Sequence, residues 1–379
     1  MTAGGSSTLV AQRLAAQLLS GTPAAATAEV AGRLLAIQAQ DPRGARLAVR
    51  ARSHGLSAAD VDSALTQDRC VVVTWLNRGT LHLVRAEDYW WLHPLTTPPL
   101  FTGNARRLAQ EGVPPQDAER GVAVIERALT AEGPLTRAQL SERIAAAGVR
   151  TQGQAIVHQL VLATLRGITI RGPMVGREQA YVLVRDWLGA RPAPFDRDRA
   201  LAELAVRYLA GHGPASDRDL AQWAGLPVGD ARRGLAAIAH RLADRDDGLA
   251  SLAAQPGGPG QPGRPGSVSG SGRPGNPAPA GNPDPPLPPP RLLGAFEPVL
   301  LGWSSREPIL GPHASLVAAG GMFRPFALVR GRAVGTWTMP GGKVALVPFA
   351  PLPPADAAAL AADAAEVERF LTGRASRAD

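Results

Sequence analysis

Cysteine is nearly absent from this sequence. Cys70 is the single cysteine among 379 residues, which excludes an intramolecular disulfide framework and a cysteine-based zinc site. The seven histidines are scattered without metal-binding spacing, so we expect no metal. The chain also lacks a run of roughly 18 apolar residues, the length that a membrane span requires, and no signal peptide is evident. We therefore expect a protein of the reducing cytoplasm that does not enter a membrane.

Aromatic residues and lysine are scarce as well. Aromatics make up 4% of the chain, and Lys343 is the single lysine among 40 basic residues. The net charge of +8 suits a polyanionic partner, but codon bias in a GC-rich genome would produce the same arginine-rich composition. The sequence has no Gly-x-x-x-x-Gly-Lys-Ser/Thr loop and no Gly-x-Gly-x-x-Gly turn after a strand, so we expect no nucleotide cofactor.

A repeated pattern lies in the first two thirds of the chain. Two segments carry a Gly-Pro turn, then Thr136 or Ser216 as the expected N-cap, then a short amphipathic helix. The flanking helices are predicted over 118–130, 154–165, 199–210 and 228–238. Strands predicted over 168–171 and 180–184 add a wing to the first copy. Three helices with a tight turn before the second are typical of a helix-turn-helix.

The N-terminal block is a further candidate for this pattern, although it lacks the Gly-Pro turn. The helices predicted there cover 7–19, 27–37 and 58–66. Strands over 71–75 and 80–84 then form a hairpin, in which Gly79 supplies the positive φ that the turn needs. The order of three helices and a hairpin again predicts a winged helix.

The end of the chain has a different pattern. Residues 255–290 consist largely of Pro, Gly, Ser and Asn, which predicts a disordered insertion. Strands over 323–329, 333–338 and 343–347 predict a meander, followed by a helix with an apolar stripe. The expected fold is α+β, mainly α, with tandem winged-helix domains, a C-terminal antiparallel β meander and a terminal helix. The predicted organisation is a first unit over 1–98, a second over 99–192, the first part of a third over 193–254, the insertion over 255–290 and a last block over 291–379.

The most informative short stretch is Leu34-Leu-Ala-Ile-Gln-Ala-Gln-Asp-Pro42. Gln38 falls on the apolar face of the predicted helix, where an amide costs stability unless it is hydrogen-bonded. Pro42 disfavours helical geometry at the preceding residue, so the helix should end here, and residues two apart can then face the same side. Either the amides of Gln38 and Gln40 converge on one cavity, or Gln38 satisfies a buried backbone group while Gln40 is solvated.

Three stretches together resemble one family. They are 34–42, 73–84 (Val-Thr-Trp-Leu-Asn-Arg-Gly-Thr-Leu-His-Leu-Val) and 294–303 (Gly-Ala-Phe-Glu-Pro-Val-Leu-Leu-Gly-Trp). The family is that of the tandem winged-helix DNA glycosylases of the AlkZ and YcaQ type, which unhook bulky alkyl adducts and interstrand crosslinks. Its motif is Gln-aliphatic-Gln or Gln-aliphatic-Asp, and Gln38-Ala39-Gln40 matches the AlkZ-like branch, with Ala39 a mild departure. The resemblance implies that Gln38 and Gln40 are the catalytic pair.

Amide chemistry is consistent with that implication. Glutamine has no titrating proton at neutral pH and cannot act as a general base, but it can orient a water molecule and stabilise developing charge. Such assistance is sufficient to hydrolyse the glycosidic bond of an N7-alkylated purine, because that purine is cationic and already a good leaving group. We expect a monomeric, nucleoid-associated, monofunctional glycosylase acting on double-stranded DNA that carries alkylated purines, without a cofactor. The alternative is a non-enzymatic winged-helix transcriptional regulator, because winged helices are mostly binding modules.

Other residues are weaker candidates. Arg78 and His82 flank the hairpin turn and either contact phosphate or are ordinary wing-surface residues. Glu297 is the one carboxylate in an otherwise apolar run, and it is either the neighbour of an arginine or a catalytic acid. The late meander carries three arginines that are candidates to enter a DNA groove: Arg324, Arg330 and Arg332.

Overall fold

The computed structural model describes residues 3–175, 178–253 and 285–373. Within these ranges the helices are α1 (Ala3–Ala16), α2 (Thr27–Leu34), α3 (Pro42–Arg50), α4 (Ala58–Thr66), α5 (Ala86–Thr96), α6 (Leu100–Gln110), α7 (Pro115–Glu132), α8 (Arg137–Ala146), α9 (Ala155–Leu165), α10 (Val184–Trp187), α11 (Arg197–His212), α12 (Asp217–Ala224), α13 (Val228–Ala237), α14 (Pro298–Leu301), α15 (Glu307–Leu310), α16 (Ala314–Val317) and α17 (Pro354–Thr372). The strands are β1 (Ile37–Gln38), β2 (Val71–Leu76), β3 (Thr80–Arg85), β4 (Thr169–Val175), β5 (Glu178–Leu183), β6 (Arg291–Leu293), β7 (Ala318–Ala319), β8 (Met322–Phe323), β9 (Phe326–Val329), β10 (Arg332–Thr338) and β11 (Ala345–Pro348). The α+β, mainly helical class is confirmed.

Local capping starts several helices at the predicted residues. Ser57, Thr136 and Ser216 each cap a helix through a capping box, in which the N-cap and the third helical residue satisfy each other's backbone groups. α3 is absent from the predicted elements. Its start signal is nevertheless present, because Asp41 accepts a hydrogen bond from Arg43 N and Pro42 occupies the first helical position.

The end of α2 corrects the sequence prediction. The helix ends at Leu34 rather than continuing to residue 37, because Leu35 adopts a left-handed φ of 63°. The chain then becomes extended, and Ile37 and Gln38 pair with Leu83 and His82 of β3. Placing Gln38 on the apolar face of a helix is therefore wrong. Backbone pairing with β3 replaces the hydrogen bonds that further helical turns would have supplied.

The first sheet joins two of the predicted units. Its strand order is β1-β3-β2-β4-β5, and Val73 of β2 pairs with Arg171 of β4. The β2–β3 hairpin of the first unit and the β4–β5 hairpin of the second are thus neighbours in one antiparallel sheet. Gly79 has a φ of 78°, as the predicted turn requires. In the third unit, α11 to α13 are followed by isolated antiparallel bridges, Ala215–Ala250 and Leu242–Leu252.

The last block packs on the first unit. The predicted meander is present as β9, β10 and β11, and β6 adds a fourth strand in the order β11-β10-β9-β6. Ile37 and Leu83 share one buried cluster with Trp337 of β10 and Val367 of α17. The two parts therefore form one continuous core.

The predicted insertion over 255–290 lies mostly outside the described residues. Residues 285–290 are described and contain neither helix nor strand, but Leu287 packs against a buried cluster. The packed part of the chain therefore resumes before residue 290. Among the helices in the described ranges, none has the length and hydropathy needed to cross a bilayer.

Candidate active site at the edge of the first sheet

Gln38 and Gln40 lie along the outermost strand of the first sheet. Ala39 N donates to Leu81 O over 2.7 Å, so the backbone stays paired with β3 one residue beyond β1. In extended backbone, side chains two residues apart point to the same face. Gln38 is 7% exposed, whereas Gln40 is exposed and its Oε1 accepts a hydrogen bond from Leu81 N over 3.4 Å. Gln38 lies within the paired strand, whereas Gln40 follows it in a bend and bonds to the backbone of β3, so both side chains lie at the end of the β1–β3 pairing.

The Gln38 side-chain amide makes no hydrogen bond to any described residue. Within the described residues no hydrogen bond ends on its side chain, although the side chain is largely buried. A cavity of about 220 Å³ beside Asp41 is lined by Arg43, Trp337 and Met339 rather than by Gln38 or Gln40, so the convergence of the two amides on one cavity stays a prediction. The alternative in which Gln38 satisfies a buried backbone group is therefore not what the structure contains.

The end of α11 contacts the end of α2, from which the chain passes into β1. His212 Nε2 donates to the carbonyl of Leu34 over 3.2 Å, and His212 Nδ1 accepts from Gln17 Nε2 over 3.1 Å. Burial lowers the pKa of His212 to about 3, so the ring is neutral. A Cβ at Gly211 would lie 2.2 Å from Arg33 O, so only glycine permits this approach. The end of α11 therefore determines where α2 stops.

Glu297 belongs to the same buried network. Arg52 donates to Glu297 Oε1 and, over 2.9 Å, to Gln17 Oε1. Both members of the ion pair have fully buried side chains. The interpretation of Glu297 as the neighbour of an arginine is confirmed. A role as catalytic acid does not fit, because a carboxyl group enclosed in this way cannot meet DNA.

Arg78 and His82 point inward, which corrects their placement on a wing surface. The guanidinium of Arg78 donates to the carbonyls of Gln222, over 3.3 Å, and Trp223, at the end of α12. His82 is 2% exposed. Burial is the main cause that lowers the pKa of Arg78 to about 10 and that of His82 to about 3. The hairpin packs against α12 instead of projecting into solvent, so His82 is enclosed and the guanidinium of the half-buried Arg78 is already bound by the protein.

The three meander arginines do not form one cluster. Arg324 precedes β9, whereas Arg330 and Arg332 flank the turn that follows it, so the strand separates them. Arg330 is 68% exposed and pairs with Asp356 over 2.6 Å. Arg330 and Arg332 line a groove of about 470 Å³ with His313 and Phe349. Among the described residues, no group of three or more His, Cys, Asp or Glu side chains could hold a metal ion.

Sequence reasoning missed the residues that position the motif. The contact of His212 with Leu34 spans 178 residues, and that of Arg52 with Glu297 spans 245. No local pattern signals contacts of this kind. The pairing of Gln38 with His82 carries a weak signal, since both residues lie in stretches that resemble the same family.

Comparison with known proteins identifies a family that matches most of this chain. The sequence profile of the AlkZ-like DNA glycosylases matches residues 31–370. A relative from Streptomyces sahachiroi, described as an interstrand DNA cross-link repair glycosylase, is 25% identical over 395 residues, 97% of this chain and 95% of that protein. The solved structure of the Streptomyces sahachiroi DNA glycosylase AlkZ matches with a TM-score of 0.72 and 24% identity, over 97% of this chain and 96% of that one. The resemblance is thus confirmed, and this chain belongs to the AlkZ-like DNA glycosylase family.

Proposed function

We propose that this protein is a monofunctional, monomeric DNA glycosylase that hydrolyses the N-glycosidic bond of N7-alkylated purines in duplex DNA. Gln38 and Gln40 are its catalytic pair. The observation that carries the proposal is the placement of both amides at the end of the β1–β3 pairing, with no hydrogen bond from the Gln38 amide to any described residue. The name of the Streptomyces sahachiroi relative supports interstrand crosslinks as substrates, and the proposal includes bulky adducts beside them.

The chemistry needs no acid or base from the protein. The oxygen of a water molecule bonds to C1′ of the sugar while the bond from C1′ to the purine nitrogen breaks. The bonding electron pair goes to the cationic purine and neutralises it, and the water proton passes to solvent. Gln38 Oε1 accepts a hydrogen bond from the water and holds it in line, and Gln40 stabilises the developing positive charge. Undamaged purines are poor leaving groups, so they are left intact.

The helices of the three predicted units are interpreted as winged-helix units, the first with four helices before its hairpin, that do not read sequence through α4, α9 or α13. α9 has nine buried residues out of eleven, so it has no free face for a groove. α4 carries Asp60 and Asp62, which phosphates would repel. On α13, Arg232 and Arg233 are paired with Asp217 and Asp198. These features favour the enzyme over the regulator.

DNA contacts are assigned to exposed arginines instead. Arg324 and Arg332 are exposed and make no ion pair with any described residue, so their charge is free for phosphate. Arg330 contributes only if DNA displaces Asp356. Arg78 and His82 are not assigned to DNA, because both are used inside the protein.

The test is single-turnover excision of N7-methylguanine from a duplex, measured together with duplex affinity. We expect Gln38→Ala and Gln40→Ala each to lower the excision rate by about 10²-fold or more, as loss of one preorganised group does, with the dissociation constant unchanged. Gln110→Ala is the matched control, since that amide lies exposed at the end of α6 and, among the described residues, is hydrogen-bonded by Arg107 alone. Wild-type excision by both motif variants would remove the catalytic assignment. Selection of one tight undamaged consensus site would instead support the regulator.

A further inference from the structure

Gln38 and His82 form a close pair across two strands. They are direct partners in the register of β1 and β3. The next residue, Ala39, donates to Leu81 O, while Leu81 N donates to Gln40 Oε1, so residues 38 and 82 occupy a non-hydrogen-bonded position of the ladder, where opposite residues are closest. In such a pair the Cα atoms lie about 4.5 Å apart and the side chains share one face of the sheet. The imidazole is therefore the side chain directly opposite the Gln38 amide in the sheet.

The tautomer of His82 follows from its one hydrogen bond. Nδ1 lies 2.9 Å from the carbonyl oxygen of Thr80, and a carbonyl only accepts, so Nδ1 carries the hydrogen. Burial and the positive charge of Arg78 keep the ring neutral, with a pKa of about 3. Nε2 is then an acceptor only. No hydrogen bond within the described residues ends on it.

An acceptor beside Gln38 solves a problem that any catalytic amide has. The oxygen and nitrogen ends of a glutamine side chain have nearly the same shape, so a free amide populates both orientations. Only the orientation with Oε1 toward the water can hold the nucleophile. A neighbour that accepts but never donates selects the orientation in which the amide N–H points inward.

We propose that His82 is a positioning residue, whose Nε2 accepts an N–H of the Gln38 amide in the DNA complex and thereby turns Oε1 toward the attacking water. This inference rests on the proposed catalytic role of Gln38. It differs from a phosphate contact, which would need a protonated and accessible ring. It also differs from a purely structural role, which would not depend on Gln38.

Two substitutions separate these roles. His82→Gln can place an amide oxygen near the position of Nε2 and so retains an acceptor, whereas His82→Asn is shorter and keeps only the contact with Thr80. We expect His82→Asn to lower the single-turnover rate by about 10²-fold, the effect of misplacing a reacting group, without changing duplex affinity. His82→Gln should recover most of the rate. Combining His82→Asn with Gln38→Ala should cause no loss beyond that of Gln38→Ala alone.

A second histidine serves as the matched control. His93 on α5 is also buried and neutral, and its Nε2 contacts the Thr164 carbonyl over 2.9 Å, but it has no glutamine partner. His93→Gln should lower stability and leave the excision rate of folded protein unchanged. Imidazole nitrogen NMR of the full-length protein should show His82 as the Nδ1–H tautomer at neutral pH.

Each contrary outcome points to a particular failure. If Gln38→Ala abolishes excision while His82→Asn excises like wild type, or if their losses multiply, the positioning role is wrong and the proposed function stands. If His82→Asn instead weakens duplex binding and lowers the log–log salt slope by about 0.9, His82 contacts a phosphate. If Gln38→Ala itself excises like wild type, the proposed function fails together with this inference.

Discussion

Gln38 owes its position to an unusual backbone at Leu35. A branched residue in the left-handed region costs of the order of 1–2 kcal/mol, and here that cost is offset by burial of the leucine and by the pairing of β1 with β3. As a result the chain turns sharply at the end of α2, and Gln38 lies on the edge strand β1. A helix continuing to residue 38 would have placed the Gln38 amide on a different face.

Arg78 illustrates how a basic residue near a predicted DNA contact can serve the fold instead. Replacing it with Met keeps the aliphatic stem but leaves the Gln222 and Trp223 carbonyls without their donor. We expect Arg78→Met to lower the free energy of unfolding by about 1.5–3 kcal/mol, typical of hydrogen bonds to charged groups, in urea titrations. The salt dependence of duplex binding should not change.

Arg332→Met is the comparison for that experiment. Arg332 is exposed and unpaired among the described residues, so its loss should leave stability within about 0.5 kcal/mol of wild type. It should reduce the log–log salt slope by about 0.9 if the side chain contacts phosphate. A lower salt slope for Arg78→Met, with unchanged stability, would reverse the assignment of the two residues.

At the scale of elements, the packing of α11 against the end of α2 determines where β1 begins. Gly211→Ala adds a methyl group 2.2 Å from Arg33 O, so the two helices must separate. We expect a loss of about 1–3 kcal/mol in unfolding free energy, the usual cost of overpacking. Excision should also slow, since Leu34 and the motif behind it shift.

Gly103→Ala is the matched control, because Gly103 also lies in a helix but an added Cβ there meets no atom within 4 Å. That change should stabilise the protein by about 0.5–1 kcal/mol and leave excision unaltered. Equal effects of the two glycine substitutions would show that the α2–α11 contact has no special role.

At the scale of the whole molecule, three buried neutral histidines make stability depend on pH. Burial lowers the pKa of His82 and His212 to about 3 and that of His93 to about 4. In the unfolded chain these rings titrate near pH 6.5. Below that pH the unfolded state binds up to three protons that the folded state does not bind. The free energy of unfolding is therefore highest above pH 6.5 and decreases as the pH falls toward 4.

The free energy of unfolding should change by about 1.4 kcal/mol per pH unit for each histidine. For all three the change should be about 4 kcal/mol per pH unit near pH 5. Urea unfolding at pH 7.5, 6.0 and 5.0 measures it, in a range above the titration of most carboxylates. His93→Gln should reduce the slope by about one third. A urea midpoint that stays constant over this range would mean that these histidines are not buried as described.

Features whose partners lie only a few residues away follow from the amino-acid sequence alone. Ser57, Thr136 and Ser216 begin their helices because each cap bonds to a residue three positions on, and Gly79 permits its hairpin turn without help from the rest of the chain. The end of α2, the pairing of Gln38 with His82 and the contact of Arg78 with α12 arise only when the elements pack together. Those outcomes depend on contacts that span tens to hundreds of residues, such as His212 with Leu34 and Arg52 with Glu297. Such contacts exist only once the elements have packed, because burial then requires each polar group to find a partner inside the protein.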